Sequence, residues 1–511
     1  MFLRPEPEHY SRSLKGGSLI LLQVLFLALP ACKGTNGDPT KKKEAHGRSS
    51  SLHQAVQKLA NDPVLEKGRL AFSAYAIGSG KKLSGHRSSE LIVPASTQKL
   101  VTTISALRIL GPKHRFRTIL GYRGRIENGT LKGDLIIKGG GDPAFLSKEF
   151  PEHYGTPKNL FDRWVKALER AGIEKVEGKL LVDAGYFPPN TLSRGRIWED
   201  MGNYFGAFPS GMNIMDNAFE LRFRTPDEKG EQSRIIGRSP QTPWLKIENR
   251  VKSSELQKDE AYIFGKPYDE QRIVEGTLPA GKASYSIEGA MPDPARTTAW
   301  MLHEQLQQKE IAIENGFSTF RREGITERAI SRGVDTVHSP RLKTIVKKTN
   351  VKSKNLFAET LLLEAGKSLG SKAKPGPAGE ALLERIEAWG IDTEGLRMDD
   401  GSGLAPTNRI TAAFLVKLLK KAWAGKHRHT IKNSLPVAGK SGTMSYIGGG
   451  TAAEGRIRAK SGYMSGVLAY AGYAKARDGE WKAFALIANG FTCSASSMRN
   501  KMEKVLVELV K

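Results

Sequence analysis

The stretch Leu91-Ile92-Val93-Pro94-Ala95-Ser96-Thr97-Gln98-Lys99-Leu100-Val101-Thr102 decides how this chain is read. Apolar residues recur after it at Leu100, Val101, Ile104, Leu107 and Leu110, which predicts a helix over 97–110. At the start of that helix residues three apart share a face, so Lys99 falls beside the Ser96 hydroxyl. A serine hydroxyl is a poor nucleophile until a base takes its proton. A lysine can be that base near neutral pH only if burial or a neighbouring cation depresses its pKa. Ser96 and Lys99 are thus a candidate nucleophile and base. Taken alone the segment has a plainer reading, with Ser96 as a helix N-cap.

Two further patterns follow in order, Ser353-Lys354-Asn355 and Lys460-Ser461-Gly462. In a shared site Ser353 would relay a proton and Asn355 would orient Lys99 and the substrate amide. Lys460 would supply positive charge beside Lys99, and the Ser96 backbone N–H would be one oxyanion donor. Each pattern has its plain counterpart: Ser353 and Asn355 as caps of a helix over 354–368, and Lys460 as a solvated strand lysine. Stray matches exist at Ser79 to Lys82, Ser371 to Lys374 and Lys440 to Gly442. The first two have no apolar helix behind them. Lys440 leads into a loose Gly-rich loop, whereas Lys460 ends an alternating segment from Arg456 and precedes a strand-like run, Val467 to Tyr473. Gly78-Ser79-Gly80-Lys81 and Gly439-Lys440-Ser441 lack the glycine a phosphate loop needs. Gly78 to Lys81 reads as a turn, with strands expected over 70–77 and 91–93.

The three patterns in this order are the SxxK, SxN and K[ST]G elements of serine enzymes that act on penicillin and on peptides ending in D-Ala-D-Ala. The gap from Ser96 to Ser353 is more than twice that from Ser353 to Lys460. With this long first gap the chain resembles the low-molecular-mass class C penicillin-binding proteins, D-alanyl-D-alanine carboxypeptidases and endopeptidases. The likeness extends to Gly133-Asp134-Leu135 with Gly139-Gly140-Gly141-Asp142-Pro143, to Val182-Asp183 and Phe187, and to Trp198 through Ala207. It also covers Asp400 to Leu404 and Ser434 to Gly439, and so runs from about residue 51 to the C-terminus.

The resemblance implies that Ser96 is the nucleophile and Lys99 its base, with Ser353 and Asn355 completing the network. It implies that Lys460 and Ser461, with Gly462, bind the substrate's terminal carboxylate, and that the Tyr463 backbone N–H is the second oxyanion donor. Trp198, Asp200 and Phe205 resemble the family's pocket for a diaminopimelate side chain. The chain departs from the family at three places. Ser461 replaces the usual Thr and keeps the hydroxyl. Tyr463 stands where a small hydroxyl residue is common. Ala405-Pro406 replaces Ser-Arg, removing an arginine that would grip a diaminopimelate carboxylate; Arg409 is the nearby substitute. Alternatives on the same fold are a β-lactamase or esterase, or a non-catalytic cell-wall-binding protein.

At 511 residues, with 39% hydrophobic content, the chain is long enough for two or three domains with full cores. The one long apolar run, Leu19 to Leu29, follows Arg12 and Lys15 and is too short to span a membrane, so residues 1–31 read as a signal peptide for export to the periplasm or cell envelope. Leu29-Pro30-Ala31-Cys32 resembles a lipobox, which would lipidate Cys32; ordinary cleavage near Ala31 is the other reading. Residues 32–50 read as a basic tether. With Cys32 lipidated only Cys493 remains, and a Cys32–Cys493 bridge is the alternative. No metal-ligand spacing is present, so neither metal nor cofactor is expected. The formal charge of +26 would suit nucleic acid, but export points instead to an acidic envelope polymer or an anionic membrane surface, with a solvated basic surface that has no partner as the plainer reading. The expected partners are peptidoglycan, β-lactams as acylating inhibitors, and the membrane through a lipid anchor.

The expected fold is α+β: a transpeptidase or β-lactamase-like domain, discontinuous over 51–110 and 290–511, with an antiparallel sheet flanked by helices. Those helices are expected over 97–110, 354–368, 376–389, 411–423 and 496–509, and a strand over 481–490. Residues 111–289 would form a mostly β insertion after the nucleophile helix, in two small domains, with a helix near 157–171.

Overall fold

The structure, a computed structural model, describes residues 50–511. The signal segment, Cys32 and nearly all of the tether lie outside those residues. Cys493 is a free, partly buried thiol.

A five-stranded antiparallel sheet carries Lys460-Ser461-Gly462 on its edge strand. Its order is Ile457–Met464, Val467–Lys475, Trp481–Asn489, Arg69–Ala76 and Lys82–His86. Alternation along the strands sorts side chains to two faces. Leu468, Tyr470, Phe484 and Leu486 pack with Val56, Met502 and Leu506 of helices Ser51–Ala60 and Ala495–Glu508. Ala469, Ala471, Tyr473, Ala485 and Ile487 face the other way, against Leu415 and Leu419 of helix Ala412–Ala424. Because both faces are covered, the central strands read as almost unbroken apolar runs. The nucleophile helix, Gln98–Ile109, belongs to this second layer with Asn355–Ser368 and Pro375–Glu387.

The expected helices are all present to within two residues at either end. Residues 91–93 make only a single bridge, Ile92 to Ile410, not a strand; the hairpin partner of Arg69–Ala76 is Lys82–His86. Further helices appear among the described residues, including Pro294–Gln307 and Leu342–Lys352. The second buries Leu342, Ile345, Val346 and Thr349, one stripe at helical spacing.

The chain after the nucleophile helix builds a second sheet. Arg117–Glu127 pairs antiparallel with Thr130–Lys138, which runs parallel to Lys175–Val176 and Leu180–Asp183. Residues 312–338 contribute three more strands here, Ala312–Ile313, Phe317–Thr319 and Arg332–His338. The pairing that starts at residue 117 thus continues to 338, past the return expected at 290. Parallel pairing needs a crossover; helix Pro157–Arg170 makes the first one and Pro294–Gln307 packs with it on the same core. Two three-stranded sheets lie between, in residues 218–290, around Phe219, Phe223, Val251 and Val274.

Candidate active site

Ser96 sits in a short 3₁₀ turn, Ala95–Thr97, leading into Gln98–Ile109. Two glycines let the backbone close around it. Gly403 has φ +80°, and a Cβ there would lie 1.9 Å from the Ala95 carbonyl. A Cβ on Gly462 would lie 2.9 Å from the Pro94 carbonyl and 3.0 Å from the Ser96 nitrogen. The edge strand is therefore pressed against the Ser96 amide. Gly462→Ala should push strand and nucleophile apart and slow acylation about 10²-fold, the scale of a misplacement near 1 Å. A stopped-flow acylation rate equal to that of the unmodified protein would refute this.

The Lys99 ammonium uses all three donors. It donates to Ser96 Oγ at 2.8 Å, to Asn355 Oδ1 at 2.6 Å and to the Ser402 carbonyl at 2.8 Å. It is fully buried, and burial pulls its pKa down to about 7. Asp400 and Glu359 oppose that fall and Arg196 adds to it. Burial, not the charge of Lys460, thus dominates the tuning of Lys99. The repulsion acts on Lys460, which burial and then Lys99 hold well below the usual lysine range. Lys460 has no exposed surface, so the solvated-lysine reading fails; its Nζ donates to the Ser461 carbonyl at 2.6 Å.

The capping readings fail too. Helix Leu342–Lys352 ends on Ser353 in a left-handed conformation, φ 56°, and Lys354 is the N-cap of Asn355–Ser368, with no side-chain cap bond. Asn355 spends its side chain on the site: Oδ1 accepts from Lys99, and Nδ2 donates to the Phe205 carbonyl at 2.8 Å. Ser353, Ser96, Ser461, Gly462 and Tyr463 line one cavity of about 260 Å³.

Strand register sets the direction of the Tyr463 amide. Ala459 donates its N–H to the Pro436 carbonyl, on the edge away from Val467–Lys475. The antiparallel pattern repeats every two residues, so the N–H groups of Ser461 and Tyr463 face that same free edge.

Residues 52–510 match the D-Ala-D-Ala carboxypeptidase 3 (S13) family. The chain belongs to that family. It is 27% identical to the D-alanyl-D-alanine carboxypeptidase of Actinomadura sp. (strain R39), over 95% of this chain and 90% of the relative. It is 24% identical to D-alanyl-D-alanine carboxypeptidase DacB of Haemophilus influenzae, over 85% and 88%. The crystal structure of penicillin binding protein 4 (dacB) from Haemophilus influenzae matches with a TM-score of 0.76 at 23% identity, over 90% of this chain and 98% of that one. That likeness shows the shared fold. This S13 chain is a serine-type peptidase on a transpeptidase-like α+β fold.

Beneath Lys99 this S13 peptidase carries a buried charge cluster that motif reading missed. Glu359 accepts the amides of Gly401 and Ser402, both at 3.1 Å. Asp400 accepts those of Gly403 and Ala405, both at 2.7 Å, and the Asn408 side chain at 2.8 Å. Arg196, from the long insertion, lies between the two carboxylates, 3.4 Å from Glu359 and 3.9 Å from Asp400. The cluster shapes the loop whose Ser402 carbonyl receives Lys99. Burial and the nearby Asp400 raise the Glu359 pKa. Glu359 was within reach of the sequence, one turn after Asn355 on the same helix face; Arg196 carried no such signal.

The other expected residues are more scattered. Phe205 borders Ser353 and Asn355 in a neighbouring cleft. Asp200 is buried near Arg196 and Asp400, and burial raises its pKa. Trp198 is half exposed and stacks on Phe264 at 6.3 Å between centroids. Arg409 does not line the Ser96 cavity: its guanidinium donates to the Pro406 and Asn408 carbonyls at 2.7 and 2.8 Å.

Proposed function

We propose that this peptidase cleaves the D-Ala-D-Ala ends or D-amino-acid crosslinks of peptidoglycan stem peptides through an acyl-enzyme on Ser96, and that β-lactams acylate the same hydroxyl. The observation that carries the reading is the fully buried Lys99, 2.8 Å from Ser96 Oγ with a pKa of about 7. Neutral Lys99 takes the Ser96 proton as Oγ attacks the carbonyl carbon. The backbone N–H groups of Ser96 and Tyr463 receive the developing oxyanion. Ser353 passes a proton to the leaving amine as the C–N bond breaks, and water then hydrolyses the ester and restores Ser96. Asn355, held by the Phe205 carbonyl, fixes Lys99 and the substrate amide. Ser461 and Gly462 lie along the bound peptide.

The test is a digest of purified muropeptides followed by mass spectrometry, on monomers and crosslinked dimers. Loss of single D-Ala residues would report carboxypeptidase action, and conversion of dimers to monomers endopeptidase action. No change in either would overturn the reading.

Trp198, Asp200 and Phe205 are proposed to border the substrate's long side chain. Pro406 offers no cation there, and the Arg409 guanidinium is engaged by its own loop. The digest should therefore discriminate only weakly between diaminopimelate and lysine stems. Strong preference for diaminopimelate that survives Arg409→Ala would refute this.

Export follows from the apolar run Leu19 to Leu29, and membrane anchoring from Cys32. Metabolic labelling with a clickable fatty acid should mark the protein, and Cys32→Ser should abolish the mark; ordinary cleavage would leave both unlabelled.

A further inference from the structure

The Ser96 cavity receives a side chain from the far side of the sheet. Arg499, on the C-terminal helix Ala495–Glu508, lines it together with Thr443. Its guanidinium lies close to the phenol of Tyr470, and Tyr470 is the register partner of Ser461. Cross-strand partners project to the same face, so Ser461 and Tyr470 share one side of the strand, and Arg499 lines the same cavity as Ser461.

A peptide cut at its last D-residue presents a carboxylate to this end of the site. The hydroxyls there are neutral, with Ser461 Oγ donating to Thr443 Oγ1 at 2.7 Å. Lys460 is fully buried, and its side chain is already engaged by the Ser461 carbonyl. Tyr463 contributes an exposed ring in place of a further small hydroxyl. Arg499 is the dependable cation, since a guanidinium stays protonated. Among the described residues it forms no salt bridge. Glu503, one turn on, accepts the Gly448 amide at 2.6 Å.

We propose that Arg499 reads the substrate's terminal carboxylate, its guanidinium pairing with that group beside Ser461 and Thr443. This rests on the peptidase reading above and deepens it. It makes the C-terminal helix part of substrate recognition.

The test compares Ser96 acylation by a penicillin with acylation by the methyl ester of the same penicillin. The unmodified protein should favour the acid. Arg499→Ala should slow the acid roughly 10- to 100-fold, the loss of one charge-assisted contact, while the ester rate stays within about 3-fold. Arg499→Lys should fall between. An unchanged acid-to-ester ratio in Arg499→Ala would overturn the proposal. An equal fall in both rates would overturn it too, marking a structural role. Failure of the acid to acylate the unmodified protein would instead overturn the peptidase reading, and this proposal with it.

Discussion

Protein carrying Ser96→Ala should take up no labelled penicillin, and Lys99→Met should be acylated about 10²- to 10⁴-fold more slowly while remaining folded. The difference in degree follows from the geometry. In the proposed mechanism Ser96 supplies the bond-forming oxygen, whereas Lys99, 2.8 Å away, supplies only the proton acceptor. Lys99 must be neutral to act, and its pKa is about 7. The acylation rate of the unmodified protein should therefore rise through neutral pH and level off above it, with the protonated lysine inactive on the acid side. Lys99→Met should abolish that inflection. A flat profile between about pH 5.5 and 8.5 in the unmodified protein would show that another group takes the proton. Label retained by Ser96→Ala would remove Ser96 from the mechanism altogether.

Arg196→Met should cost about 3–5 kcal/mol of stability, because it strands two buried carboxylates without their cation. The side chains of Arg196, Glu359 and Asp400 are 2%, 2% and 0% exposed, so water cannot replace the lost partner. The damage should reach catalysis as well. Glu359 and Asp400 hold the loop that offers the Ser402 carbonyl to Lys99. Chemical denaturation should show the loss, and single-turnover acylation should slow in the same variant. Combining Arg196→Met with Glu359→Gln should recover part of the stability by removing one uncompensated charge. A melting temperature unchanged in Arg196→Met would show that the cluster contributes nothing net.

The amphipathic helices and the strands around Lys460 were legible because their apolar spacing matches the period of the element they form. The helix after Asn355 and the C-terminal helix around Met502, Val505 and Leu506 are examples. The insertion was harder to read. Its sheet closes through Arg332–His338, paired with Arg117–Glu127 across about two hundred residues. Strands so short and so distant carry no local mark of their partner. The three-residue run 91–93 shows the opposite error: β-branched residues suggested a strand where the chain makes one bridge and turns into the nucleophile.

The chemical identities of the site were set by sequence alone. Ser96 and Lys99 are three apart at a helix start, and local geometry makes them neighbours whatever the rest of the chain does. Ser353, Asn355, Lys460 and Ser461 were recognisable as a set by order and type. Tertiary structure decided what those groups can do. Burial, which no local pattern reports, lowers Lys99 and Lys460. The Phe205 carbonyl orients Asn355, and the Ser402 carbonyl holds Lys99, both from segments far away in sequence. Arg196 and Arg499 looked like ordinary members of a basic chain. Only packing leaves one between two carboxylates and the other beside the cavity, because the energy of a charge depends on what surrounds it in space and not on its neighbours along the backbone.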